Sequence, residues 1–157
     1  MKKPFAILLL LSSIIFGQNT GDLITVDRII DGDTFESEDN IVYRMIGIDT
    51  PERGEDGYKE AGEHLALTIR RHCPDEFGEY NEHSPLSRSV DIKSTGKGRY
   101  GRTLAYVSCK EKSINEIMIK DGYALSYRKY PHKYTKQYNE HESEAKRYNR
   151  GLWSYWD

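Results

Sequence analysis

Sulfur is scarce in this 157-residue chain, which has two cysteines, Cys73 and Cys109, and no Cys-x-x-Cys. Two isolated cysteines cannot build a zinc site by themselves. No histidine clusters with Asp33 and Asp49, which leaves a metal there to oxygen ligands and disfavours zinc and copper. There are no internal repeats and no low-complexity tracts, so a repeat array is excluded. Past residue 16 no hydrophobic run could cross a bilayer. The formal net charge is only −2, which argues against tight, indiscriminate binding to nucleic acid.

The one apolar run, Phe5 to Phe16, is broken only by Ser12 and Ser13, follows Lys2 and Lys3, and gives way to Gly17-Gln18-Asn19. This pattern predicts a secretory signal peptide over 1–17, too short to span a membrane as a helix. The remainder is then expected in a periplasm or outside the cell, as a monomer with no stable membrane association. No cysteine follows the run, so a lipid anchor is not indicated. What is left, about 140 residues, suits one domain at 20–157 with a single modest core. In an exported protein Cys73 and Cys109 are candidates for a disulfide. The alternative is two separate small core residues.

Charge is unevenly spread. Residues 18–96 hold 8 Lys/Arg against 18 Asp/Glu, whereas residues 97–150 hold 13 against 6. Such a split suggests a cation-holding half and a phosphate-facing half, or merely two solvated faces.

Leu23–Ile30, Thr34–Ser37 and Ile41–Ile48 read as a three-stranded meander with turns at Asp31-Gly32-Asp33 and Glu38-Asp39-Asn40. Ala61, Leu65 and Ile69 recur at i+4 and predict a helix from about Lys59 to His72, ended by Cys73-Pro74. Residues 74–87 are polar and read as a long surface loop. Ser89–Ser94 and Thr103–Cys109 are two further strands, separated by a turn at Thr95–Gly98. Ser113 with Glu116 forms the pattern of a capping box opening a short helix, closed by Gly122. Tyr134, Tyr138, His141, Ala145 and Tyr148 predict a last helix with a mostly aromatic buried seam, stopped by Gly151. The expected class is α+β, with five strands and three helices. Five such strands can close into a small oligonucleotide-binding (OB-fold) β-barrel, although periodicity alone allows other five-stranded sheets.

Three short segments carry chemistry: Asp31-Gly32-Asp33-Thr34, Tyr43-Arg44 leading to Asp49-Thr50-Pro51-Glu52, and Arg99-Tyr100-Gly101-Arg102. Asp33 and Asp49 sit at turns or strand ends, where carboxylates can converge on a hard cation; Asp31 is the weaker ligand. Arg44 and Arg102 can donate paired hydrogen bonds to a phosphate, and Glu52 can take a proton from water. Each segment also has an ordinary reading as a turn, a helix start or a strand start. Arg44 and Asp49 are five residues apart and would face opposite sides of an unbroken strand. If both reach one pocket, the strand has to end, bend or bulge near Gly47.

Taken together and in this order, these segments resemble the thermonuclease (staphylococcal nuclease) family. Leu104-Ala105-Tyr106-Val107, Asn115, Gly122 and the closing Ala145 to Trp153-Ser154 extend the likeness over residues 22–154. The resemblance implies an OB-fold barrel and a calcium ion held by the carboxylates of Asp33 and Asp49 and the main-chain carbonyl of Thr50. It implies Arg44 and Arg102 on the scissile phosphate and Glu52 at the attacking water. Arg99 and Tyr100 would contact a nucleotide phosphate, and Tyr127 or Tyr130 the nucleotide. Departures are the mildly acidic exported chain, the long 74–87 loop, and Gly98 where relatives often carry Asp.

The implied function is a secreted calcium-dependent endonuclease that hydrolyses DNA and RNA with little sequence preference, leaving 5′-hydroxyl and 3′-phosphate ends. The alternative is a non-catalytic nucleic-acid-binding module on the same fold, which retention of Asp33, Arg44, Asp49, Glu52 and Arg102 disfavours. A calcium-binding secreted protein without a nucleic-acid role is a third reading, disfavoured by the paired arginines.

Overall fold

Alternation of inward apolar and outward polar side chains runs through the strands of this computed structural model, which describes residues 21–75, 78–79 and 86–156. The expected signal peptide and most of the 74–87 loop lie outside the described residues. The elements run β1 (Asp22–Ile29), β2 (Thr34–Ser37), β3 (Val42–Met45), β4 (Ile48–Asp49), α1 (Tyr58–His72), β5 (Arg88–Lys97), β6 (Thr103–Cys109), β7 (Lys112–Ser113), α2 (Ile114–Lys120), β8 (Leu125–Ser126) and α3 (Thr135–Arg147).

Five strands lie in the order β3-β2-β1-β5-β6, and β3 then pairs with β6 in parallel, so the sheet closes on itself. The result is the expected five-stranded barrel with three helices. Closure removes the exposed sheet edges. Val26, Phe35, Met45, Val90, Ile92, Ala105 and Val107 point inward and are fully or almost fully buried. Leu65 and Ile69 of α1 and Ile114 and Met118 of α2 join the same core. Cys73, just after α1, and Cys109, ending β6, form a disulfide with Cα atoms 5.3 Å apart. α2 opens as its sequence suggests, with the Ser113 hydroxyl accepting the Glu116 N–H at 3.2 Å.

The irregularity expected near Gly47 is present: β3 ends at Met45, Gly47 takes φ +78°, and β4 begins at Ile48. Three details differ from the sequence reading. β4 leaves the barrel to pair with β8, Ile48 opposite Ser126 and Asp49 opposite Leu125. β5 runs on to Lys97, where a turn was expected at Thr95–Gly98. A register shift between Ser94 and Gly96 lets the polar stretch follow β6 as an outward-facing strand. In α3 the buried side chains are Tyr138, Glu142 and Ala145, whereas Tyr148 is exposed. Glu142 turns inward because its carboxylate accepts the Ser126 N–H at 2.5 Å and an Arg128 N–H at 2.8 Å. Gly32 serves close packing: a Cβ there would lie 2.6 Å from Ala61 Cβ and 2.8 Å from Thr50 Cγ2.

Candidate active site

The break between β3 and β4 brings Arg44 and Asp49 to one place. After Met45 the chain turns at Gly47, where a Cβ would fall 2.3 Å from the His132 ring, so only glycine fits against that imidazole. The turn curls around the Arg44 guanidinium, whose NH1 donates to the carbonyls of Met45 at 2.7 Å and Ile48 at 2.9 Å. Its Nε pairs with Asp33 Oδ1 at 2.9 Å and its NH2 with Asp49 Oδ1 at 3.1 Å. An arginine carries five N–H donors. These four contacts leave one of them facing outward.

Asp33, at the start of β2, is buried. Besides Arg44, Oδ1 accepts the Thr34 hydroxyl at 2.9 Å, while Oδ2 accepts both the amide and the hydroxyl of Thr50 at 3.1 Å. Asp31 shapes the approach by accepting the Asp33 N–H at 3.0 Å. Burial pushes the Asp33 carboxyl up to about 7; the Arg44 charge opposes this and Asp31 adds to it. Asp49 is also raised, first by burial, with Arg44 opposing and Glu55 and Asp31 reinforcing. Both carboxylates that flank Arg44 are thus pushed toward protonation, by burial before any other cause.

Asp33, Asp49 and Thr50 are thus brought together, and their donors are all oxygen. No group of three or more His, Cys, Asp or Glu converges among the described residues. What converges is the Asp33 and Asp49 carboxylates on Arg44, and oxygen donors of this kind suit a hard cation.

From Arg44 a groove of about 850 Å³ runs over the outer barrel surface between β5, β6 and the 127–134 segment. Arg102, just before β6 and so beside β3, also lines it, and its buried Nε has no hydrogen-bond partner among the described residues. Arg99 and Tyr100 sit in the turn before β6. Tyr100 is 83% exposed, with the Arg102 guanidinium 5.9 Å from its ring centroid. Tyr127 and Tyr130 both line the groove, their centroids 6.0 Å apart. Tyr127 is the one tied to the Arg44 turn, by its N–H to the Gly47 carbonyl at 2.9 Å and its ring 6.0 Å from the guanidinium.

Glu52 is not brought into this groove. It is exposed, its own N–H donates to the Glu55 carboxylate at 2.7 Å, and its carboxylate makes no contact of that kind among the described residues. Tyr106 and His132, which the sequence reading did not single out, also line the groove. Continuing the outward alternation Arg102, Leu104 along β6 would have found Tyr106. No local pattern marks His132. It sits under Gly47 with Nδ1 near the Tyr106 hydroxyl at 3.2 Å, and burial lowers its pKa.

Sequence comparison adds the following. The profile described as staphylococcal nuclease homologue matches residues 42–155. Micrococcal nuclease of Shigella flexneri is 32% identical over 95% of this chain and 82% of its own length. Thermonuclease of Staphylococcus hyicus is 29% identical over 82% of this chain and 74% of its own. Endonuclease YncB of Bacillus subtilis is 30% identical over 83% of this chain and 61% of its own.

Proposed function

The chain belongs to the staphylococcal nuclease homologue family, and on that premise we propose that it is a secreted, calcium-dependent endonuclease acting on DNA and RNA with little sequence preference. Its relatives are named as nucleases, and it carries the residues for hydrolysis of a phosphodiester. One observation carries the reading: Arg44 ties Asp33 to Asp49 at the head of a groove that Arg102, beside it at the start of the adjoining strand, also lines.

In this reading the scissile phosphate lies between Arg102 and the free N–H of Arg44. Arg102, which has no ion pair among the described residues, is able to strengthen its hydrogen bonds as negative charge grows on the equatorial oxygens. Arg44 contributes charge and one donor while organising the carboxylates. Asp33, Asp49 and the Thr50 carbonyl would hold calcium, which when bound neutralises phosphate charge and favours a nucleophilic water. All four acceptor positions of Asp33 already receive a hydrogen. Serving as an ion ligand therefore requires the hydroxyl of Thr34 or Thr50 to rotate away. Glu52 is assigned as the base: water oxygen bonds to phosphorus, its proton goes to Glu52, and the P–O5′ bond breaks as the leaving oxygen takes a proton from solvent water, whose hydroxide is neutralised by the proton Glu52 then releases. The side chain must swing from solvent toward the groove to do so.

The test is digestion of plasmid DNA and of RNA with calcium, with excess chelator, and with Glu52→Gln. Both polymers should be cut with calcium only, and Glu52→Gln should lose 100-fold or more, the scale of general base catalysis. Cutting that survives chelator rules out the metal assignment, and an unimpaired Glu52→Gln rules out the base.

A further inference from the structure

The groove is charged in one sign. Arg44, Lys93, Arg99, Arg102, Lys129 and Lys133 line it, and no carboxylate does, in a chain of net charge −2. Outside the groove several cations are matched by carboxylates: Arg28 pairs with Glu36, Arg88 with Asp75, Lys120 with Glu116, Arg128 with Glu142 and Arg150 with Glu144. Of the six in the groove only Arg44 has an ion pair among the described residues. Gathering unpaired like charges costs self-repulsion, which a polyanion laid along the groove would relieve.

The scissile phosphate accounts for the end at Arg44 and Arg102 but not for the other end. There Lys93 on β5 stands opposite Tyr106 on β6. The Tyr106 ring meets Tyr134 edge-on at 5.2 Å, and Lys133 Nζ lies 5.0 Å from the Tyr134 centroid. The four side chains form one contiguous patch with a lysine at each margin and tyrosines between. Arg102, Leu104 and Tyr106 alternate outward along β6. At ~3.3 Å per residue, Tyr106 lies about 13 Å along the strand from Arg102. That is too far for both ends to hold the same phosphate.

We propose that Lys93 and Lys133 form a second phosphate subsite, each taking one non-scissile phosphate of the strand being cut, with Tyr106 and Tyr134 as the floor under the nucleotide between them. The subsite rests on the nuclease reading above. Lysine suits it because a compact ammonium neutralises phosphate without reading a base, and a tyrosine floor tolerates any base.

The test compares two substrates, a ten-nucleotide single strand and a mononucleotide p-nitrophenyl phosphodiester, for wild type and Lys93→Ala/Lys133→Ala. On the oligonucleotide the double variant should raise KM roughly tenfold with kcat within twofold. The slope of log(1/KM) against log[salt] should become shallower by about 1.4, at ~0.7 per single-strand phosphate contact. On the mononucleotide kcat/KM should stay within twofold, and Lys93→Arg/Lys133→Arg should restore the oligonucleotide KM. An oligonucleotide KM within twofold of wild type overturns the subsite alone. Equal KM rises on both substrates also overturn it, since they indicate a diffuse field. A wild type that cuts neither substrate overturns the nuclease reading and the subsite with it.

Discussion

Replacing Arg44 by alanine separates its structural from its chemical role, because four of its five donors are spent inside the protein. The substitution leaves Asp33, whose side chain is 6% exposed, without its cation. It also strips two turn carbonyls of their donor. Removing one partner of a buried pair costs about 3–5 kcal/mol. Asp49 tempers this, since its side chain is 45% exposed and can rehydrate. A loss near 4 kcal/mol is therefore expected in chelator, read as a lower urea midpoint at unchanged slope. Arg44→Lys should recover little, since an ammonium cannot span both carbonyls and both carboxylates. In Arg44→Ala/Asp33→Asn the stranded charge is gone, so the cycle should show about 2 kcal/mol or more of coupling. A loss below 1 kcal/mol for Arg44→Ala would refute the reasoning, leaving Arg44 an untethered phosphate ligand.

Other expectations follow from the same geometry. The Asp33 carboxyl is raised from 3.8 to about 7 on folding, so its contribution to stability is complete below pH 4 and is lost as pH rises through 7. Melting in chelator should fall between about pH 4 and 7, and calcium should offset the fall, because the ion takes the deprotonated form; calorimetry with and without calcium checks both. Gly47→Ala should destabilise by more than 1 kcal/mol, from a positive φ and the clash with His132, with partial relief in Gly47→Ala/His132→Ala, measured by urea unfolding. Reducing the Cys73–Cys109 bond, which closes a separation of 36 residues, should cost about 3–4 kcal/mol. Thermal melts with and without reductant test that, and cleavage at a temperature where both forms are folded should be unaffected. Glu55→Gln should keep most activity where Glu52→Gln does not; the reverse ranking would move the base to Glu55.

Much of the barrel was legible because burial on one face leaves a period of two, plain in Thr103–Cys109, and a period near 3.6 in Ala61, Leu65 and Ile69. The break at Gly47 was legible for a different reason: the parity of Arg44 and Asp49 forbids a shared pocket on a straight strand. The extension of β5 to Lys97 was hidden, since its outer surface is polar and carries a glycine, the same signature as a turn. Glu142 was hidden too, because a buried carboxylate depends on partners, Ser126 and Arg128, supplied by another segment. Within the site, residue types predicted which groups would meet but not how their donors are spent. That Arg44 is mostly consumed by the fold while Arg102 has no ion pair among the described residues emerges only from three-dimensional contacts.

The difference between those two arginines gives the most direct measurement: single-turnover cleavage of an oligonucleotide in calcium by Arg102→Ala, alongside its urea midpoint. The account predicts a 100- to 1,000-fold slower chemical step, the scale for losing one charge-stabilising donor, with a midpoint within error of wild type because Arg102 has no ion pair to lose among the described residues. A cleavage rate within twofold of wild type in the folded variant would contradict the placement of the scissile phosphate in this groove.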